Sequence, residues 1–274
     1  MQAWIKKHIF IIYTLIAFSI SWIGWLIIIL TDTSPEFFNP WKILAAFGPS
    51  LAGILAITVH SGQKGLQKVW RSLLGSGRPK WTWYLISLVL PPLLMVASLG
   101  IHILLGGQNL VFNDPNEIYR VIPVFVLVFF FSVLGEEIGW RGFALPWLQK
   151  RFSAFQSSLI LGFLWSLWHL PLFWIPGDFH QQLPLIWFFI QTISLTIFYT
   201  WIFNGTNGSL LIILLLHSAS NTAFGVLPML PESADGSLRP AWILNILLII
   251  AASLLVLING SNTLTKGKPK QTLK

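Results

Sequence analysis

The sequence predicts an all-α fold: a polytopic membrane helical bundle of about eight transmembrane helices, with both termini cytoplasmic. Three observations carry this prediction. Hydrophobic residues make up 55% of the 274 positions and charged residues only 9%, a balance far outside that of soluble globular domains. The apolar residues gather in uncharged runs of roughly twenty, the length a helix needs to cross about 30 Å of hydrocarbon. The charges between the runs sort by side, which a wrong span count would scramble.

Each run has its own marks. Lys6 and Lys7 precede Ile9–Leu30, which is longer than a signal-peptide core and ends at no small-x-small cleavage site, so it is expected to remain as the first span. The polar stretch Thr31–Lys42 holds Asp32 and Glu36, and Ile43–Val59 follows as a short second span. His60–Lys80 reads as the most basic loop, with Lys64, Lys68, Arg71, Arg78 and Lys80. Trp81–Leu105 is the third span, where Pro91-Pro92 is expected to kink the helix, because the ring removes a donor and clashes one turn back. Gly106–Arg120 is a polar connection holding Asp114 and Glu117, and Val121–Trp147 is the fourth span. Ser157–Ile175, Leu183–Phe203, Ser209–Val226 and Ala241–Ile258 complete the set.

The polar, basic tail after Asn259 is expected to be disordered. The chain thus divides into three N-terminal spans (1–120), a core carrying the chemistry (121–226), a last span (227–259) and a basic tail (260–274). No internal repeat or second domain is visible.

Alternating the spans places every Lys and Arg except Lys42, Arg120, Arg239 and Arg141 on the side of the two termini, 13 of 17. By the positive-inside rule that side is cytoplasmic. The acids Asp32, Glu36, Asp114, Glu117, Asp178, Glu232 and Asp235 all fall on the other side. A net charge of +8 is explained by this distribution, so no nucleic-acid partner is expected. Many of the tryptophans, such as Trp4, Trp41, Trp81 and Trp242, stand near span ends as interfacial anchors. With no cysteine, disulfide and thiolate chemistry are excluded, and His, Asp, Glu and Asn are the side-chain metal ligands that remain.

Only one span carries charge. Gly135-Glu136-Glu137-Ile138-Gly139-Trp140-Arg141 follows an uncharged run, and a charged side chain at the bilayer centre costs about 2.5–3.5 kcal/mol on insertion scales. Glu137 and Arg141 are four apart and share a helical face, so they can pair. Glu136 lies about 100° further round and faces something else.

Three more polar groups lie within spans: His169 in Trp165-Ser166-Leu167-Trp168-His169, and His217 with Asn221 at i, i+4 on one face. Counted at 1.5 Å per residue from the presumed cytoplasmic ends, Glu136, His169, His217 and Asn221 fall at about 16, 18, 12 and 18 Å. They share one layer, which a cavity must supply with water. Glu136 beside an imidazole suits a general base for hydrolysis, with His217 and Asn221 stabilising an oxyanion. The same four groups could instead hold a divalent metal such as zinc that activates the water. Spacing alone leaves both open.

Glu136-Glu137-x-x-x-Arg141, Trp165-x-x-x-His169 and His217-x-x-x-Asn221 resemble the three ordered motifs of the CPBP family of intramembrane proteases. That family includes the CAAX prenyl endopeptidases and the bacteriocin-processing and immunity group, also called Abi. The resemblance covers Val121–Val226, and its second motif begins with Trp where the family often has Phe. It implies a metal-free glutamate mechanism in which Glu136 activates water, His169 assists, and His217 and Asn221 stabilise the oxyanion. In the older metal-dependent reading the four share a metal. Glu137 and Arg141 would form a supporting pair. It also implies a cavity facing the cytoplasm or opening laterally to lipid, and a peptide or protein substrate delivered at the cell membrane.

Two readings of other classes compete. A membrane scaffold or bacteriocin self-immunity protein would bind a partner in the same cavity without chemistry. A proton-coupled transporter would carry protons on Glu136 or His169, but should show an inverted repeat, whereas the intramembrane acids occupy one half only. Serine, aspartyl and His-Glu-x-x-His intramembrane proteases lack their residues here.

Overall fold

Seven of the apolar runs form helices long and apolar enough to cross a membrane. The computed structural model describes residues 2–31, 38–75, 79–107, 110–111 and 119–266. The expectations for Asp32, Glu36, Arg78, Asp114, Glu117, Lys268, Lys270 and Lys274 lie outside the described residues.

The helices are α1 (Gln2–Thr31), α2 (Pro40–Leu73), α3 (Trp81–Leu104), α4 (Val121–Leu148), α5 (Ala154–Trp168), α6 (Leu185–Gly205), α7 (Leu210–Val226) and α8 (Arg239–Asn259). The chain is an all-α multi-pass membrane protein, with these eight helices among the described residues. α7, at 17 residues, is shorter than the seven spans, and α5 reaches spanning length with the 3-10 turn Leu170–Trp174 appended. α3 stays helical through Pro91-Pro92.

Several local expectations are corrected. α2 does not end at Val59 but turns at Gly62 (φ +59°), where glycine alone enters the left-handed region freely, and continues as a helix to Leu73. The supposed loop is amphipathic: Leu66, Val69 and Leu73 pack against the core, while Lys64 and Lys68 are exposed. The span expected at Ser157–Ile175 is present as Ala154–Trp174, but within it α5 stops at Trp168. Pro171 has no N–H for the carbonyl one turn back, and the chain tightens into a 3-10 turn. The tail is folded at its start: Ala154 N–H donates to Asn262 O, Asn204 Nδ2 donates to Thr263 O, and Leu264 is buried.

α4 is continuous but irregular, with π-helical turns at Phe129–Val133 and Trp140–Ala144 on either side of Glu136 and Glu137. Such turns re-aim side chains and cluster at functional sites. α4 lies against α2 with almost no side chain between the backbones. A Cβ on Gly135 would come 2.6 Å from Ala46 O, and one on Gly139 would meet the Pro49 carbonyl. Ser50 Oγ donates to Leu134 O at 2.8 Å across this contact. Small residues at helix crossings are the main route to close packing where lipid removes the hydrophobic drive.

Gly139→Ala is therefore expected to destabilise the protein by about 1–3 kcal/mol through overpacking against α2. Gly100→Ala, where an added Cβ meets nothing within 4 Å, should be neutral or slightly stabilising. Thermal unfolding in detergent compares the two.

Candidate active site

Glu136 and Glu137 are adjacent but held differently. Glu137 is wholly buried, and its Oε1 accepts from Arg141 Nη1 at 2.8 Å, the i, i+4 pair read from the sequence. The same oxygen lies 2.7 Å from His217 Nδ1. A carboxylate only accepts, so His217 carries its hydrogen on Nδ1, and Nε2 is left for other partners. Among the described residues Arg141 Nε and Nη2 have no hydrogen-bond partner. Instead the guanidinium lies 4.4 Å from the Trp165 ring centre and 4.6 Å from that of Tyr199, where the ring faces stabilise a cation out of water.

Glu136 is turned elsewhere. Its Oε2 accepts from Trp165 Nε1 at 2.8 Å, and its side chain lines a cavity of about 500 Å³. His169, His217 and Asn221 line the same cavity. His169 is the C-cap of α5, where the last carbonyls lose their helical donors. Its Nδ1 bonds Trp165 O at 2.8 Å, and Trp22 Nε1 donates to Trp168 O at 3.0 Å. A carbonyl too only accepts, so His169 carries Nδ1–H and leaves Nε2 free of that bond. His217 faces Glu137 rather than Glu136, and Asn221 lies one turn further along α7, exposed to the cavity.

The sequence reading missed two features. Trp165 was read only as the aromatic of a motif, yet its N–H holds Glu136, its carbonyl orients His169 and its ring covers Arg141. The second feature is at the cavity's rim. Asp178 Oδ1 lies 2.6 Å from His180 Nδ1, Lys42 Nζ lies 3.4 Å from Asp178 Oδ2, and the His180 and His169 ring centres are 5.9 Å apart. The one sequence signal was a histidine two residues after an acid in a loop. Burial works to raise the pKa of Asp178, but the bond and charge of His180, then Lys42, outweigh it and hold the carboxyl below its ordinary 3.8.

Among the described residues no three His, Asp or Glu side chains converge so as to hold a metal ion. The Nδ1 atoms of His169 and His217 are already engaged in orienting bonds. Their Nε2 atoms remain available, as in metal-ligating histidines oriented through Nδ1, and no step below passes through a metal.

The cavity reaches from mid-bundle to one end, where it is lined by Lys42 near the start of α2, Asp178 and His180 before α6, Leu230 after α7 and Leu244 near the start of α8. The basic residues Lys6, His60, Lys68, Lys150 and Arg151 are grouped at the opposite end. Cytoplasmic termini and a cytoplasmic mouth are thus alternatives, whereas the lateral opening to lipid, also expected above, is compatible with either orientation.

Fold and site define the class: a multi-pass helical membrane protein whose buried Glu–Arg–His cluster backs a second glutamate in an intramembrane cavity. Residues 118–223, which include every site residue read from the sequence, match the family model described as type II CAAX prenyl endopeptidase Rce1-like. A curated relative, CAAX prenyl protease 2 of Methanococcus maripaludis, is 30% identical over 142 residues, 48% of this chain and 52% of the relative. The chain thus spans about half the length of the curated relative it matches. Through this segment the chain is similar to the Rce1-like type II CAAX prenyl endopeptidases.

Two measurements test the electrostatics. Arg141→Met leaves a buried carboxylate short of its cation and should cost about 3–5 kcal/mol, and adding Glu137→Gln should restore a substantial part; unfolding in detergent reads the cycle. A depressed carboxyl pKa contributes stability that is complete above the unfolded value and is lost as pH falls through the folded one. Wild type should therefore lose thermal stability below about pH 3.8 more steeply than Asp178→Asn, in melting temperatures measured against pH.

Proposed function

We propose that the chain is an intramembrane endopeptidase that hydrolyses a peptide bond of a membrane-delivered peptide or protein by a glutamate mechanism. The observation that carries this reading is that Glu136 lines a cavity of about 500 Å³, fixed by one N–H donor, beside His169, His217 and Asn221.

Glu136 takes a proton from water as the oxygen attacks the scissile carbonyl carbon, and the neutral carboxyl then returns that proton to the leaving amine. His169, with its hydrogen fixed on Nδ1, offers the Nε2 lone pair to orient the water. The tetrahedral oxyanion is stabilised by the Asn221 amide and by His217, which Glu137 holds in place through Nδ1. Glu137 and Arg141 do not touch the substrate in this scheme. They hold His217 in place, and Trp165 holds both Glu136 and His169.

Much of the lining is apolar, including Leu90, Leu94, Leu244 and Leu248, which suits an apolar segment or a lipid-modified end. The relative's name specifies a prenyl substrate for that protein; for this chain a prenylated substrate is one member of the class to test.

Glu136→Gln keeps shape and removes the base. Cleavage of a quenched peptide library by purified protein should fall by about 10²–10⁴-fold, with unchanged thermal stability and no effect of a strong chelator on the wild type. Equal cleavage by Glu136→Gln would overturn the proposal, and loss of wild-type activity under chelation would replace the glutamate mechanism with a metal-dependent one.

A further inference from the structure

We infer that the site cavity is entered from the non-cytoplasmic face of the membrane, so that its substrates are peptide or protein segments exposed on that face. The inference supplies a substrate class for the function proposed above and uses that reading only in calling the occupant a substrate.

Two observations made on different atoms meet here. The first is where the cavity lies. Its lining from α1 comes from the C-terminal part and that from α2 and α8 from their N-terminal halves, while on α6 and α7 it runs inward from Phe188 and Gly225 to Tyr199 and Leu216. These helix ends are tied together by the Lys42–Asp178 pair, by Val111 N–H donating to Ser233 O, and by Arg239 Nη1 donating to Leu105 O. Asn221 and Gly225 are exposed on its wall.

The second is charge. Among the described residues that end carries Lys42, Arg120 and Arg239. The opposite end carries Lys6, Lys7, Lys64, Lys68, Arg71, Lys80, Lys150, Arg151 and Lys266. Lys and Arg in short loops near span ends set orientation, and acids contribute little. An excess this large puts the basic end in the cytoplasm and the cavity on the other side. A second cavity, of about 250 Å³, does approach from the basic end, but Glu136, His169, His217 and Asn221 are absent from its lining.

The absence of cysteine makes the chain its own background for accessibility labelling. Single cysteines are introduced at Gln67 on the basic end, at Gln181 in the loop before α6, and at Gly225 in the cavity wall, where an added Cβ meets nothing within 4 Å. Asn221→Cys serves as a second, deeper cavity reporter. Spheroplasts of a bacterial host expressing each variant are treated with a membrane-impermeant maleimide before and after lysis.

Gln181→Cys and both cavity variants should label in intact spheroplasts at least tenfold faster than Gln67→Cys, which should label only on lysis. Three results would overturn the inference: labelling of Gln67→Cys in intact spheroplasts, cavity labelling only after lysis, or no cavity labelling from either side, which would mean entry from lipid alone. Labelling needs no turnover. A catalytically dead protein would therefore sink the proposed function through the Glu136→Gln assay while leaving this result standing.

Discussion

One carboxylate oxygen holds the site together. Glu137 Oε1 accepts from Arg141 on its own helix and meets His217 from α7, while Arg141 lies over the rings of Trp165 on α5 and Tyr199 on α6. An unpaired charge at this depth would cost several kcal/mol, so four helices are drawn to one point by the need to neutralise it. The consequence for Glu136 is geometric. A neighbour on a helix lies about 100° round, so fixing Glu137 inward swings Glu136 away from the cation and toward the cavity. There, among the described residues, its partner is a single indole N–H. Two identical side chains, adjacent in sequence, thus acquire opposite environments: one paired with Arg141 and His217, the other turned to the cavity.

The close backbone contact between α2 and α4 serves the same end. Because Gly135 and Gly139 let α2 approach without intervening side chains, the helix bearing both acids is braced on the side away from the cavity. The π-helical turns on either side of that segment break the regular register, so the acids sit in a short α-helical stretch whose orientation is set by its neighbours. Rigidity here comes from packing and from shared hydrogen bonds rather than from helix propensity.

What could be read from the sequence was what depends on local spacing. The Glu137–Arg141 pair, the apolar spans and the placing of Glu136, His169, His217 and Asn221 along one cavity all follow from residue intervals and rise per residue. The partner of His217 did not, because contacts between α4 and α7 depend on helix rotation, which the π turns alter. The donor on Glu136 was hidden for another reason: Trp165 fills an aromatic position whose packing role a phenylalanine would satisfy, and only the structure shows its N–H in use. Gly62 concealed the second half of α2 by interrupting the periodicity. Asp178 and His180 sit in a loop, where no helical spacing relates them to the layer they face.

The family match and the cavity divide the molecule differently, and this separates chemistry from selectivity. Residues 118–223 supply Glu136, Glu137, Arg141, His169, His217 and Asn221, so all the groups that would make or break bonds lie on the matched segment. The cavity wall is another matter: Trp25, Lys42, Leu90, Leu244 and Leu248 come from α1, α2, α3 and α8, outside it. A pocket discriminates by shape and by the polar groups of its wall, so a likeness confined to the bond-breaking layer transfers a reaction type more readily than a substrate. The charge distribution points the same way, because a site reached from the end opposite the basic residues meets a different population of peptides from one reached through the cytoplasm.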